Sequence, residues 1–344
     1  MTPRHPNCAF VPEADKARLR IMFLAKHARD EGAPDAVDGN HAVYHHELRT
    51  SLERSGFNVI PATSFADIER RPDVDFVITL LNRAGFEHSE MLAPLQLFRF
   101  GLPFLGASPI LRGLADDKHL MKAVARLHGV PTADWAVFRR GTGTPQEPDI
   151  GPFPWVVKPN ASSASWGVAI VHSWDEALKN IREIWGQRQD VIVERWQPKV
   201  DVAVPVIGGA DGEPWILPPM MYLPEDGRLL RSYEEKRGLV PTSEDDPLVI
   251  VDDPALLEKL EAMARPLIHE LWPFDYGRFE FRYDADSGDL NFMEVNLSCN
   301  LWSKKTISRA ARSLGVDHDT LVEAIVAHSL QRQGVISGRV EAAA

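Results

Sequence analysis

Apolar positions along the chain fall into short runs whose period changes from element to element. Residues 19–25 (Leu-Arg-Ile-Met-Phe-Leu-Ala) form a β-rich run, and strand character returns at Phe57–Ile60 and Asp75–Leu81. From about His41 to Ser55 the pattern is helical and is closed by Gly56. A second helix is predicted around Met91–Phe100, with Pro103–Gly106 ending the unit. Strand, helix, strand, strand, helix with short connections predicts a small open α/β unit over roughly the first hundred residues.

Asp116 or Asp117 caps a predicted helix running to His128, stopped by Gly129 and Pro131. Strands are predicted at Trp135–Arg140, Trp155–Lys158, Val168–His172 and Val191–Trp196, with a small-residue loop at 160–167. Ser173 with Glu176 reads as a capping box for a helix to about Gln187. A third region begins near Val200 and carries more strands, two helices, and a final helix around Asp319–Arg332. The predicted units are 18–110, 111–198 and 199–335, as expected for 344 residues, a length above that of one ordinary domain.

A formal charge of −11 argues against a nucleic-acid or anionic-membrane partner, since either needs a basic footprint. Cys8 and Cys299 make no disulfide framework and suit a reducing cytoplasm. Met1–Lys16 has no apolar signal-peptide core, and the longest apolar stretches are strand-sized, so a cytoplasmic location is expected.

The sharpest chemical signal is a predicted hairpin, Arg278–Tyr283 and Leu290–Asn296, joined by an Asp/Ser/Gly-rich turn. Centred on Ser287, it sets Phe279 opposite Val295 and Phe281 opposite Met293 on one apolar face. Glu280 then falls opposite Glu294, and Arg278 opposite Asn296, on the other face. Two opposed carboxylates destabilise a sheet unless a cation lies between them, and a hard divalent ion with Asn296 as a further oxygen ligand supplies it. The same pattern also fits two acids pointing into water.

Lys158 ends a buried strand just before the 160–167 loop, whose small residues let backbone N–H groups approach phosphate. A flexible hairpin has the same composition. Glu194 ends another strand, where a carboxylate can accept from an amino group or a ribose hydroxyl or simply edge the sheet. Lys118 is compatible with an ordinary first-turn residue.

The order along the chain is Lys118, then Val157-Lys158-Pro159 with its serine-rich loop, then Val193-Glu194-Arg195-Trp196. Ser232–Lys236 comes next, and Arg278-x-Glu280 with Glu294-x-Asn296 comes last. The ensemble resembles the ATP-grasp superfamily, most closely the D-alanine–D-alanine ligase branch, from about Gly101 to Leu330. The resemblance implies an ATP-grasp fold, α/β and α+β, with an N-terminal open α/β (Rossmann-like) domain. It further implies that Lys118 and Lys158 contact the ATP phosphates while the loop carrying Ser165 closes over them. Glu194 and the backbone at Arg195 and Trp196 would hold the adenine edge, Asp201 the ribose, and Lys236 the nucleotide from its own loop. Glu280, Glu294 and Asn296 would hold one or two Mg²⁺ ions, or Mn²⁺, and Arg278 the transferring phosphoryl group. A carboxylate and an amine are the implied small-molecule substrates, joined through an acyl-phosphate. A homodimer through the N-terminal domain is also implied.

Some positions depart from the family pattern. Asn300 stands where a glycine backbone helps form an oxyanion hole, and asparagine tolerates left-handed geometry better than most residues. Lys305 stands where a serine binds the acceptor carboxylate, which points to a larger or more acidic acceptor. Arg83 offers a guanidinium to a substrate carboxylate or is a surface residue, and Glu47 lies where the family keeps a substrate-binding acid. His41 and His45, one helical turn apart, read as solvated or substrate-facing rather than metal-binding. Cys299 lacks a nearby histidine base and does not read as a nucleophile. Three functions compete: an amino-acid ligase outside or beside cell-wall synthesis, which is the leading reading, a D-alanine–D-alanine ligase, and a non-catalytic nucleotide-binding regulator.

Overall fold

The computed structural model describes residues 5–162, 165–223, 239 and 247–336, with the backbone of 341–342. Ala9–Phe10 (β1) is followed by helix α1 (Glu13–Arg18) and by β2 (Arg20–Leu24), α2 (His41–Arg54), β3 (Asn58–Ala62), α3 (Phe65–Glu69) and β4 (Phe76–Thr79). Helix α4 (Leu92–Phe100) and β5 (Phe104–Leu105) complete a parallel sheet of order β3-β2-β4-β5. Its central strands are continuously apolar because both faces are covered. Ile21, Phe23, Phe76 and Ile78 enter one core, whereas Met22, Leu24 and Val77 enter another on the opposite face. The first of these cores also takes side chains from the C-terminal helix, so the two ends of the chain share one interior.

Helices α5 (Pro109–Asp116) and α6 (Lys118–Leu127) follow, where a single helix is expected. Asp117 divides them: it is extended and accepts from the Leu120 N–H at 3.1 Å, which makes it the cap of α6. A four-stranded antiparallel sheet then forms from β6 (Trp135–Phe138), β7 (Trp155–Pro159), β8 (Ala169–Val171) and β9 (Val191–Arg195), in the order β6-β9-β7-β8. Helix α7 (Trp174–Gly186) covers it with Ala177, Ile181 and Ile184. Ser173 caps α7 as expected, but the Glu176 carboxylate reaches one residue further back, to the His172 N–H at 2.7 Å.

The third sheet joins β10 (Val200–Gly208), β11 (Pro214–Ile216), β12 (Met220–Tyr222), β13 (Leu248–Ile250), β14 (Tyr276–Tyr283) and β15 (Leu290–Asn296). Helix α8 (Pro254–Leu271) packs on it, and α9 (Thr306–Ser313) and α10 (His318–Arg332) end the fold. Met121 and Ala125 of α6 are buried in this third core beside Val202, Phe279 and Phe281. Helix α6 therefore belongs by packing to the third sheet and by its N-terminus to the loop after β7.

The β14–β15 pairing confirms Arg278 opposite Asn296, Phe279 opposite Val295 and Glu280 opposite Glu294. Beyond Glu280 the register shifts, and Phe281 faces Phe292 rather than Met293. Phe292 takes the core position because its ring meets Phe281 edge-on at 5.8 Å. Its N–H also donates to the Pro131 carbonyl, and its carbonyl accepts from Thr132 Oγ1, each at 2.7 Å. Met293 is the extra residue of the resulting bulge, a device that re-aims side chains beside functional sites.

Candidate active site

The three sheets surround one cavity of about 940 Å³. Among the expected ligands, Arg83, Lys118, Lys158, Ser165, Glu194, Arg195, Trp196 and Asp201 line it, as do Arg278, Glu280, Glu294, Asn296, Asn300 and Lys305. Lys236 lies outside the described residues.

On the β14–β15 face, Arg278 grips Glu280 through Nε at 2.8 Å and a terminal nitrogen at 2.6 Å. Burial opposes the Arg278 charge, but Glu280 and Glu294 hold its pKa above the ordinary arginine value. Lys118 brings its ammonium within 3.7 Å of Glu294 and donates to the Ser162 carbonyl at 2.7 Å. Each of the two acids brought together across the sheet is thus faced by a cation. With Asn296 they form a set of oxygen donors on one wall of the cavity, the chemistry a hard divalent ion requires.

Asn160 fixes the start of α6. Its carbonyl accepts from the Lys118 N–H and its Oδ1 from the His119 N–H, each at 3.0 Å. Those bonds satisfy N–H groups that a helix start otherwise leaves open. Ser165 has a φ of 61°, and Gly167 follows at 68°, so the chain turns sharply at these two positions.

Deeper in, Lys158 is ion-paired to Glu194 Oε1, while Lys122 approaches Glu194 Oε2 at 2.9 Å. All three are buried. Burial alone would raise the Glu194 pKa, yet Lys122 and Lys158 pull it down to about 2. Burial lowers the Lys122 pKa against the attraction of Glu194. Lys122 was not singled out from sequence, although its spacing of four from Lys118 places both on one helix face.

The N–H groups of Arg195 and Trp196 are already committed, to the carbonyls of Asp134 at 3.1 Å and Pro154 at 3.0 Å. The next residue, Gln197, also lines the cavity. Asp201 pairs with Arg282 Nε at 3.1 Å, and the Arg282 guanidinium lies over the Trp196 ring at 5.2 Å.

At the other end of the cavity two expectations change. Glu47 does not line it. The Glu47 carboxylate accepts from Trp302 Nε1 and from the Ser303 N–H, each at 2.9 Å, and so fastens the 300–305 run to α2. Asn300 does not adopt left-handed geometry. Its Oδ1 instead accepts from the Trp302 N–H at 2.6 Å, a local turn that substitutes for glycine's freedom. Arg83 lines the cavity while bound to Asp116 at 3.1 Å and to Glu90 at 2.9 Å. Ser298 Oγ donates to Glu90, which ties the turn after β15 to the N-terminal unit. Cys299 is buried, and burial pushes its thiol up to about 11, in keeping with a non-nucleophilic role.

His41 and His45 line the cavity, their rings 5.8 Å apart. His27, Asp35 and Asp38 converge nearby, but both His27 nitrogens already face carboxylates, Asp30 at 2.6 Å and Asp38 at 3.0 Å. Among the described residues, no helix is long and apolar enough to cross a membrane.

The model of the D-ala D-ala ligase C-terminus matches residues 124–327. The D-alanine–D-alanine ligase of Bacillus anthracis is 23% identical over 318 residues, covering 91% of this chain and 98% of that one. The uncharacterized protein y4sG of Sinorhizobium fredii is 30% identical over 240 residues, 68% of this chain and 69% of that one. A crystal structure of the Bacillus anthracis D-alanine–D-alanine ligase complexed with ATP superposes with a TM-score of 0.69. It is 19% identical and covers 92% of this chain and 99% of that one. The fold is ATP-grasp, and with its matched C-terminal region the chain belongs to the D-alanine–D-alanine ligase family of ATP-grasp carbon–nitrogen ligases.

Proposed function

We propose that the protein joins two amino acids in the manner of a D-alanine–D-alanine ligase, with ATP as the driving nucleotide. The observation that carries this reading is Glu280 directly opposite Glu294, in one cavity with Lys118, Lys158 and Arg278. The names of the relatives favour D-alanine at both positions over the broader amino-acid ligase that the sequence suggested first. A regulator without turnover has no use for so complete a set of charged groups.

Glu280, Glu294 and Asn296 are the residues that would hold Mg²⁺ or Mn²⁺. When bound, such an ion neutralises charge on phosphoryl oxygens. Lys118 and Lys158 would bind and orient phosphate groups, and electrostatic stabilisation of this kind is the main demand in phosphoryl transfer. Arg278, held by Glu280, would face the phosphoryl group and the oxyanion formed when the amine attacks the acyl-phosphate. Ser165 and its loop would exclude water from that intermediate. Gln197 and the carbonyls near it would meet the adenine edge, and Asp201 the ribose. We take the units as 18–110, 111–198 and 199–335, with α6 bridging the last two.

Lys305 and Asn300 line the cavity where the resemblance expects a serine and a glycine, and this favours a second reading with an acceptor other than D-alanine. Both readings are tested by incubating the protein with Mg·ATP and amino acids of both configurations, singly and in pairs. ADP release is followed beside product mass. D-alanyl-D-alanine as the best product supports the first reading, and a heavier or acidic dipeptide supports the second. No ADP with any pair would sink both.

A further inference from the structure

Lys122 lies one turn beyond Lys118 on α6, is 1% exposed, and makes no contact expected from the sequence. We propose that Lys122 is a positioning residue of the nucleotide site, holding one oxygen of Glu194 so that Lys158 is free to leave the other for a phosphate. The proposal rests on the reading of the cavity as an ATP site.

The geometry divides Glu194 between two cations, with Lys158 on Oε1 and Lys122 on Oε2 at 2.9 Å. The triad carries one net positive charge. When Lys158 turns toward phosphate, Glu194 and Lys122 remain as a neutral buried pair. Without Lys122, the departure of Lys158 would strand a buried carboxylate with no counter-ion, which is strongly unfavourable. Lys158 would then be held back from the phosphate, and ATP would bind weakly. Lys122 also donates to Thr132 Oγ1 at 2.7 Å, and Thr132 donates to the Phe292 carbonyl at 2.7 Å. Phe292 precedes the Met293 bulge and Glu294, so the same ammonium links the interior acid to the strand that carries Glu294.

The test uses the full chain with Lys122→Met, Lys122→Arg, Glu194→Gln and the Lys122→Met/Glu194→Gln pair, measured by steady-state kinetics in ATP. Lys122→Met should raise KM for ATP at least about 10-fold while kcat stays within about 3-fold, and Lys122→Arg should stay near wild type. In the Glu194→Gln background, Lys122→Met should add less than about 2-fold, because the charge that needs it is gone. An unchanged KM in Lys122→Met, equal losses in kcat and KM, or the same loss in the Glu194→Gln background would overturn the proposal. If Lys122→Met alone does not fold, the comparison of Glu194→Gln with the double variant decides. Failure of the wild type to bind ATP in calorimetry would instead remove the nucleotide reading beneath it.

Discussion

Replacing Glu47 separates a substrate ligand from a structural clamp. Its carboxylate accepts two hydrogen bonds, from Trp302 Nε1 and the Ser303 N–H, each at 2.9 Å. Bonds to a charged acceptor are worth about 1.5–3 kcal/mol each, and the side chain keeps 29% of its exposure, so the low end applies. Glu47→Ala should therefore cost about 3 kcal/mol. Glu47→Gln, with one carbonyl oxygen for two donors, should cost about half as much. At about 2.1 cal/mol/K of unfolding entropy per residue, the alanine variant should melt about 4 °C lower. Thermal and urea unfolding read the stability, and kinetics well below the transition read function. Because Glu47 lies outside the cavity lining, KM for ATP should stay within about 2-fold, and amino-acid KM should rise only as the 300–305 run loosens. A Glu47→Gln protein of unchanged stability with an amino-acid KM about 100-fold higher would refute this placement and make Glu47 a direct ligand.

Further predictions follow from the buried groups and the bulge. Cys8 and Cys299, both pushed by burial to about 11, should resist thiol reagents at pH 8 in the native protein and react once it is unfolded; fast labelling of Cys299 would contradict its burial. Glu194 is held at about 2, below its unfolded value of about 4.3, so its contribution to stability is full above about pH 4.5 and fades as pH falls toward 2. Glu194→Gln should flatten the acid limb of the stability curve in that window, and an unaltered limb would count against the ion-pair triad. Deleting Met293 should restore unbroken alternation in β15 and keep the circular dichroism, yet lower ligase activity at least about 100-fold by displacing Glu294. Full activity would show that the bulge does not set that carboxylate.

How much was legible in the sequence depended on how local the cause was. Alternation alone set Glu280 opposite Glu294, because Phe279 and Val295 admit one register on a buried face. It did not reveal the bulge: Phe292 and Met293 are both apolar, and the choice between them is made by Pro131, Thr132 and the Phe281 ring. Asp117 was visible as a cap, but not the separate α5 before it. Helix α3 was also missed, although Ser64 and Asp67 carry the spacing of a capping box. The clamp made by Glu47 was not legible because its partners lie 255 and 256 residues away in sequence. Lys122 was overlooked because a lysine on a helix face ordinarily reads as solvated, and only the fold shows it against Glu194.

The central claim, that the Glu280–Glu294 pair and its lysines drive ATP-dependent ligation, is tested most directly by D-alanine turnover under Mg·ATP in wild type and in Glu294→Gln. The predicted result is dipeptide formed in step with ADP by the wild type, with a loss of at least about 100-fold in the variant and its fold intact. Equal turnover by the two proteins, or dipeptide formed without ADP, would contradict it.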